Sequence, residues 1–169
     1  VKQHTSILGI DPGLSGGWAL IDHAGKFLDA QHFPTRQTKK NGKTSTQLDG
    51  AALAETLRKL NATHAFVEVV SSRPRQAGQF QFGVNCGLVH GILHAHQIPF
   101  ELVAPASWKA LYGIRRQEDQ TKADTKSEAR SIAAKLYPDH AAKFSRVKDD
   151  GPAEATLIAL YGLSKLSQR

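Results

Sequence analysis

Methionine is missing altogether from this 169-residue chain, and cysteine occurs once, at Cys86. A lone thiol excludes an internal disulfide and fits a reducing compartment. With no methionine anywhere, Val1 is not expected to be the initiating residue. No apolar run approaches the roughly 20 residues that a membrane span requires, so no membrane partner is expected. The opening residues lack the plan of a secretory signal. A cytoplasmic location, in a bacterium or a phage-infected host cell, is the expectation, with an organellar origin left open. Acids are the scarcer charge: 15 Asp and Glu against 22 Lys and Arg leave a formal charge of +7. That balance favours an anionic partner without identifying it as nucleic acid. Aromatic residues make up only 7%, yet 40% of the chain is hydrophobic. This is enough for a globular core, and the length suits one domain over residues 1–169.

Apolar runs at 5–10, 17–22 and 26–33 read as strands, the second and third joined as a hairpin through Ala24-Gly25. Residues 34–47, "PTRQTKKNGKTSTQ", carry Arg36, Lys39, Lys40 and Lys43 with no acid. They read as a solvated loop. The spacing of Ala52, Leu53, Leu57 and Leu60 predicts a helix over 49–61 with Asp49 as its N-cap. "HAFVEVV" at 64–70 and "PFELVA" at 99–104 give the fourth and fifth strands. Helices are predicted near 77–96, 106–112, 125–137 and 152–167. Hairpin strands followed by strand–helix alternation predict an α/β fold: a five-stranded mixed sheet flanked by helices.

Within this plan the acids stand out. Asp11 ends the first strand in "GIDPG", Glu68 lies between Val67 and Val69, and Asp149, Asp150 and Glu154 flank the last helix in "KDDGPAEATLIALYG". A buried charge is costly without a partner. Asp150 and Glu154 are four apart and share a helical face. Gly151-Pro152 leaves open whether Asp149 or Asp150 points inward. The first and fourth strands can be neighbours, and a helix over their ends brings the third group alongside. Converging carboxylates repel one another unless a hard cation sits among them. Mg²⁺ is the expected cofactor, with Mn²⁺ able to substitute. Two such ions about 4 Å apart can activate water and stabilise the leaving oxygen of a phosphodiester.

The stretches "GIDPGLSGG", "FVEVVSSRPRQAGQFQFG", "GLVHGIL", "PASWKALYGI", "TKSEAR" and "KDDGPAEATLIALYG" occur in the order seen in RuvC-type Holliday-junction resolvases. The chain resembles most the phage-like and organellar branch of that family. The resemblance implies an RNase H-like fold, a homodimer, and metal-dependent symmetric nicking of a four-way junction that leaves a 5′-phosphate and a 3′-hydroxyl. It carries Asp11 and Glu68 onto the first two catalytic acids, and Glu154 with Asp150 or Asp149 onto the C-terminal pair. Lys126 in "TKSEAR" matches a lysine near the scissile phosphate. Pro152 departs from the pattern, since relatives commonly have Arg there.

The turn after Glu68 holds Arg73 and Arg75, suited to phosphates. Phe80 and Phe82, at the start of the long helix, either stack on bases or cap the core. Lys122, Lys39, Lys40 and Lys43 are further candidate DNA contacts. Gly83, Gly87 and Gly91 form a bare stripe that packs against the sheet or a twofold mate. His90 and His94 have metal-ligand spacing, but packing is the better reading because no acid or cysteine matches them. Trp18 and Trp108 read as core. A non-catalytic branched-DNA binder on the same fold is the alternative function. An actin-like or sugar-kinase ATPase would need a second such domain.

Overall fold

The computed structural model describes residues 5–69, 78–114 and 121–169, without the side chains of Lys40 and Lys122. Arg73 and Arg75 lie outside the described residues. In chain order the elements are β1 (Ser6–Asp11), β2 (Gly17–Asp22), β3 (Phe27–His32), β4 (Thr35–Lys40), β5 (Lys43–Leu48), α1 (Gly50–Leu60), β6 (His64–Glu68), α2 (Gln79–Ala95), β7 (Phe100–Val103), α3 (Pro105–Leu111) and α4 (Lys122–Leu136). Two 3₁₀ turns, Pro138–Phe144 and Val147–Asp149, then lead into α5 (Asp150–Leu166).

The main sheet runs β3-β2-β1-β6-β7. Its first three strands are antiparallel, while β6 lies parallel to both β1 and β7. This is the expected mixed five-stranded sheet. The β2–β3 hairpin closes where the Asp22 carboxylate accepts the backbone N–H groups of Ala24 and Lys26, at 2.8 and 2.9 Å. Gly25 takes a φ of +80° there.

Side chains alternate across the strands and fill two cores. Ile7, Ile21, Phe66 and Trp108 pack on one face with Ala155, Leu157, Ile158 and Ala159 of α5. Leu8, Ile10, Leu20 and Val67 pack on the other with Leu53 and Leu57 of α1 and Val89 and Leu93 of α2. Each fully buried Leu or Ile contributes roughly 1.5–3 kcal/mol of transfer free energy. At Gly9 a Cβ would stand only 2.0 Å from the Ala155 carbonyl oxygen and 2.5 Å from the Ala159 nitrogen. Only a bare residue lets the central strand and α5 approach this closely.

Residues 34–47 depart from the expected loop. β4 and β5 pair antiparallel, with Thr35 opposite Leu48 and Lys40 opposite Lys43. Asn41 and Gly42 both take positive φ, 51° and 74°, the backbone of a primed hairpin turn. Gln37 donates to Thr46 across the ladder at 3.0 Å, and Thr38 meets Ser45 at 2.9 Å. The Asn-Gly turn and the two cross-strand side-chain contacts outweigh the repulsion among exposed cations, which solvent screens.

Candidate active site

Alternation along β1 turns Ile7, Gly9 and Asp11 toward α5, and along β6 it turns Phe66 and Glu68 the same way. Ile10 is the register partner of Val67, so Asp11 and Glu68 end adjacent parallel strands on one face. The start of α5 is fixed over those ends by backbone contact. A Cβ on Gly151 would lie 2.5 Å from the Ser15 carbonyl oxygen, and one on Gly16 would lie 2.1 Å from that of Asp11. Pro152, at its expected first-turn position, seats against Gly17. Asp150 begins the helix and Glu154 follows one turn later, buried at 6% exposure.

The four carboxylates feel one another. Burial is the largest influence on Asp11 and raises its pKa; the Gly13 N–H, 3.2 Å from Oδ1, opposes it, and Asp150 adds repulsion. Burial and then the Asp11 charge push Glu68 from 4.5 to about 7, against a lowering contact from Trp108, whose indole N–H donates to Oε1 at 2.8 Å. Glu154 is raised by burial first and by Asp11 second, while Lys109 and Lys126 pull it down.

Three cations border these acids. Lys109 Nζ is 3.7 Å from Glu154 Oε1 and rests over the Trp108 ring. Lys126 Nζ is 3.4 Å from Asp150 Oδ2. Arg130 donates to the other Asp150 oxygen and to the Val147 carbonyl.

Asp149 has a different setting. It is 1% exposed and accepts from the backbone N–H, Nε and Nη2 of Arg146, and its Oδ1 meets His32 Nε2 at 3.2 Å. Burial alone would raise its pKa, but the Arg146 bonds and the His32 contact lower it to about 2. Its carboxylate is committed to the 3₁₀ turn, and Asp150 is the aspartate that shares the field of Asp11 and Glu154.

Asp11, Glu68, Asp150 and Glu154 are the donor set that a divalent cation would meet here. Among the described residues, no three His, Cys, Asp or Glu side chains form a ready-made metal-holding group. The chemistry of the set nevertheless suits a hard cation: the donors are carboxylate oxygens, and three of the four carry raised or mutually repelling charge. Lys109, Lys126 and Arg130 supply the compensating charge in this structure.

The other sequence-derived residues fall on separate surfaces. Phe80 is 86% exposed on the first turn of α2, and so does not cap the core, whereas Phe82 is half-buried. Lys39 and Lys43 are exposed on the β4–β5 hairpin. A Cβ at Gly83, Gly87 or Gly91 would meet nothing within 4 Å, so that stripe faces away from the sheet. His90 stacks on Phe100 and His94 meets the same ring edge-on, each with ring centroids 5.1 Å apart, as packing residues.

Sequence reasoning passed over Lys109 and Arg130 and read Trp108 as core alone. Lys109 adjoins Trp108 in "PASWKALYGI", and Arg130 lies one helical turn after Lys126 in "TKSEAR"; that spacing was the available signal.

No protein-family model and no curated protein matches the sequence. Solved structures do match the fold. Thermus thermophilus RuvC in complex with a Holliday junction substrate aligns with a TM-score of 0.59 at 15% identity, covering 96% of each chain. Fowlpox virus resolvase in complex with Holliday junction DNA aligns at 0.53 and 11% identity, covering 96% of this chain and 99% of the other. With Asp11 and Glu68 at the ends of its central parallel strands and α5 laid across them, this chain has the RNase H-like fold of RuvC-type resolvases.

Proposed function

We propose that this protein is a metal-dependent, structure-selective endodeoxyribonuclease that resolves Holliday junctions and related branched DNA by paired nicks. The observation that carries the reading is the convergence of Asp11, Glu68, Asp150 and Glu154 beside Lys109 and Lys126. The fold neighbours, described with junction DNA, supply the substrate class. Asp11, Glu68, Asp150 and Glu154 would hold Mg²⁺ or Mn²⁺. The bound cation would supply Lewis-acid polarisation of the phosphodiester and activation of water.

The chain's own residues do the rest. Trp108 fixes the orientation of Glu68 through its N–H. Arg130 holds Asp150 from behind and ties it to the Val147 carbonyl. Lys109 and Lys126, bordering the acids, stabilise the negative charge that builds on the phosphate as water attacks in line. The phosphorus–O3′ bond breaks, leaving a 5′-phosphate and a 3′-hydroxyl. The exposed Phe80 ring is available to stack on bases at the branch. Arg36, Lys39, Lys40 and Lys43, on a hairpin with no acid, meet the DNA backbone together with Arg73, Arg75 and Lys122. Two copies joined through the open Gly83-Gly87-Gly91 face would suit a junction with two equivalent strands to cut.

Binding without cleavage is the second reading, favoured by the ion pairs that already occupy Asp150 and Glu154. One experiment separates them. Purified protein is incubated with labelled four-way junctions, with and without Mg²⁺, beside Asp11→Asn. The nuclease reading expects Mg²⁺-dependent nicks that Asp11→Asn slows by orders of magnitude at nearly unchanged junction affinity. An Asp11→Asn protein that nicks as fast as the parent refutes it.

A further inference from the structure

Two cavities lie side by side next to the acids and share His32 as a wall. The first, about 340 Å³, is lined by Ser15, His32, Thr35, Lys126, Lys148 and Asp150 among others. The second, about 310 Å³, continues past His32 to Lys143, Arg146 and Asp149. Lys126 belongs both to the first cavity and to the ion pair with Asp150, so the strip opens directly from the candidate active site.

We propose that this strip, from Lys126 through Lys148 and His32 to Arg146, is a second phosphate subsite: it takes the backbone phosphates of the DNA strand that runs into the cleavage site. The inference rests on the nuclease reading for its occupant and on its own geometry for its chemistry.

The site is built from the inside. Asp149, almost fully buried, receives three donors from Arg146 and one contact from His32. Both of its partners are thereby held in place on the open side, where the Arg146 side chain stays 60% exposed. An immobilised guanidinium loses less conformational entropy on meeting a phosphate than a free one does.

The carboxylate that lines the first cavity, Asp150, is already paired by Arg130 and Lys126, which leaves it poorly placed to repel an anion. Lys148 is exposed and forms no ion pair with the described residues. Ser15 and Thr35 add hydroxyl donors along the wall. Around the strip, Lys126, Arg130, Arg146 and Lys148 outweigh Asp149 and Asp150, so the surface is net positive. Asp149 is thus a positioning residue for phosphate contacts.

The test measures junction binding and cleavage separately for Lys148→Ala, Lys148→Arg and Arg146→Ala. Binding is measured on an Asp11→Asn background, so that no chemistry is needed. Lys148→Ala is expected to weaken junction binding roughly fivefold and to lower the slope of log affinity against log salt by about one contact. It is expected to raise KM at nearly constant kcat with an unchanged Tm, and Lys148→Arg should restore both binding and KM. Arg146→Ala should lower the salt slope likewise.

Parent affinity and parent salt slope in both alanine variants would overturn the subsite, as would a Lys148→Ala defect confined to kcat. A parent that binds junctions without nicking them, while Lys148→Ala still lowers the salt slope, would sink the nuclease reading and leave the subsite standing. A parent with no salt-dependent junction binding would sink both.

Discussion

Replacing Glu68 by Gln should stabilise the metal-free protein while abolishing the proposed cleavage. The carboxylate sits at 8% exposure, with Asp11 and Glu154 adding repulsion, and its pKa is pushed from 4.5 to about 7. The folded state therefore binds this proton more tightly than the unfolded chain does. The stability linked to the proton is complete below pH 4.5 and is lost as the pH rises through 7. By pH 8 the ionised group costs the metal-free fold about 3 kcal/mol relative to a neutral one. Glutamine keeps an oxygen to accept the Trp108 N–H and carries no charge.

In EDTA at pH 8, Glu68→Gln should melt roughly 6–12 °C above the parent, given ~2–4 °C per kcal/mol at this chain length. The gap should close as the pH falls toward 4.5. Adding Mg²⁺ should raise the parent's Tm by ligand linkage and the variant's far less. Differential scanning fluorimetry across pH, with and without Mg²⁺, reads all of this. A variant that melts below the parent at pH 8, or a gap indifferent to pH, would show that Glu68 does not stand in a crowded negative pocket.

The sheet was legible in the sequence because its signals are local. Alternating or continuous apolar runs marked five strands, and the sequence allowed the first and fourth to be neighbours, as β1 and β6 are. The acids at the ends of those two strands were legible for the same reason: Asp11 and Glu68 interrupt patterns that otherwise read as buried.

The β4–β5 hairpin was obscured by its charge, since four cations and few apolar groups read as a loop. The Asn41-Gly42 turn, which needs positive φ at both residues, carried the opposite signal. The choice between Asp149 and Asp150 could not be read locally. It depends on a 3₁₀ turn closed by Arg146 and on His32, more than a hundred residues earlier in the chain. The spacing of Lys126 and Arg130 put them on one helical face, but the pairing of Arg130 with Asp150 was not legible, because Asp150 is twenty residues away, across a helix, a turn and a second turn. Local pattern reports which residues are buried, and only tertiary contact reports which charges are compensated.

Two further predictions separate the structural acid from the convergent ones and test the frame that gathers them. Because the pKa of Asp149 is lowered to about 2, its stabilisation is present above the ordinary 3.8 and is lost as the pH falls through 2. Asp149→Asn should be less stable than the parent at pH 7 in urea titrations, with the gap shrinking between pH 4 and 2; a constant gap would refute the pairing with Arg146. Gly9→Ala should damage both fold and site. The added methyl meets backbone atoms of α5 at 2.0 and 2.5 Å, and neither can rotate away as a side chain would. The helix must move outward, at a cost of about 3 kcal/mol, and it carries Asp150 and Glu154 away from Asp11 and Glu68. A Tm loss of roughly 6–12 °C should accompany a loss of Mg²⁺-dependent stabilisation. If Gly9→Ala keeps the parent's Tm and Mg²⁺ response, α5 is not pressed onto β1, and the four acids have no common frame.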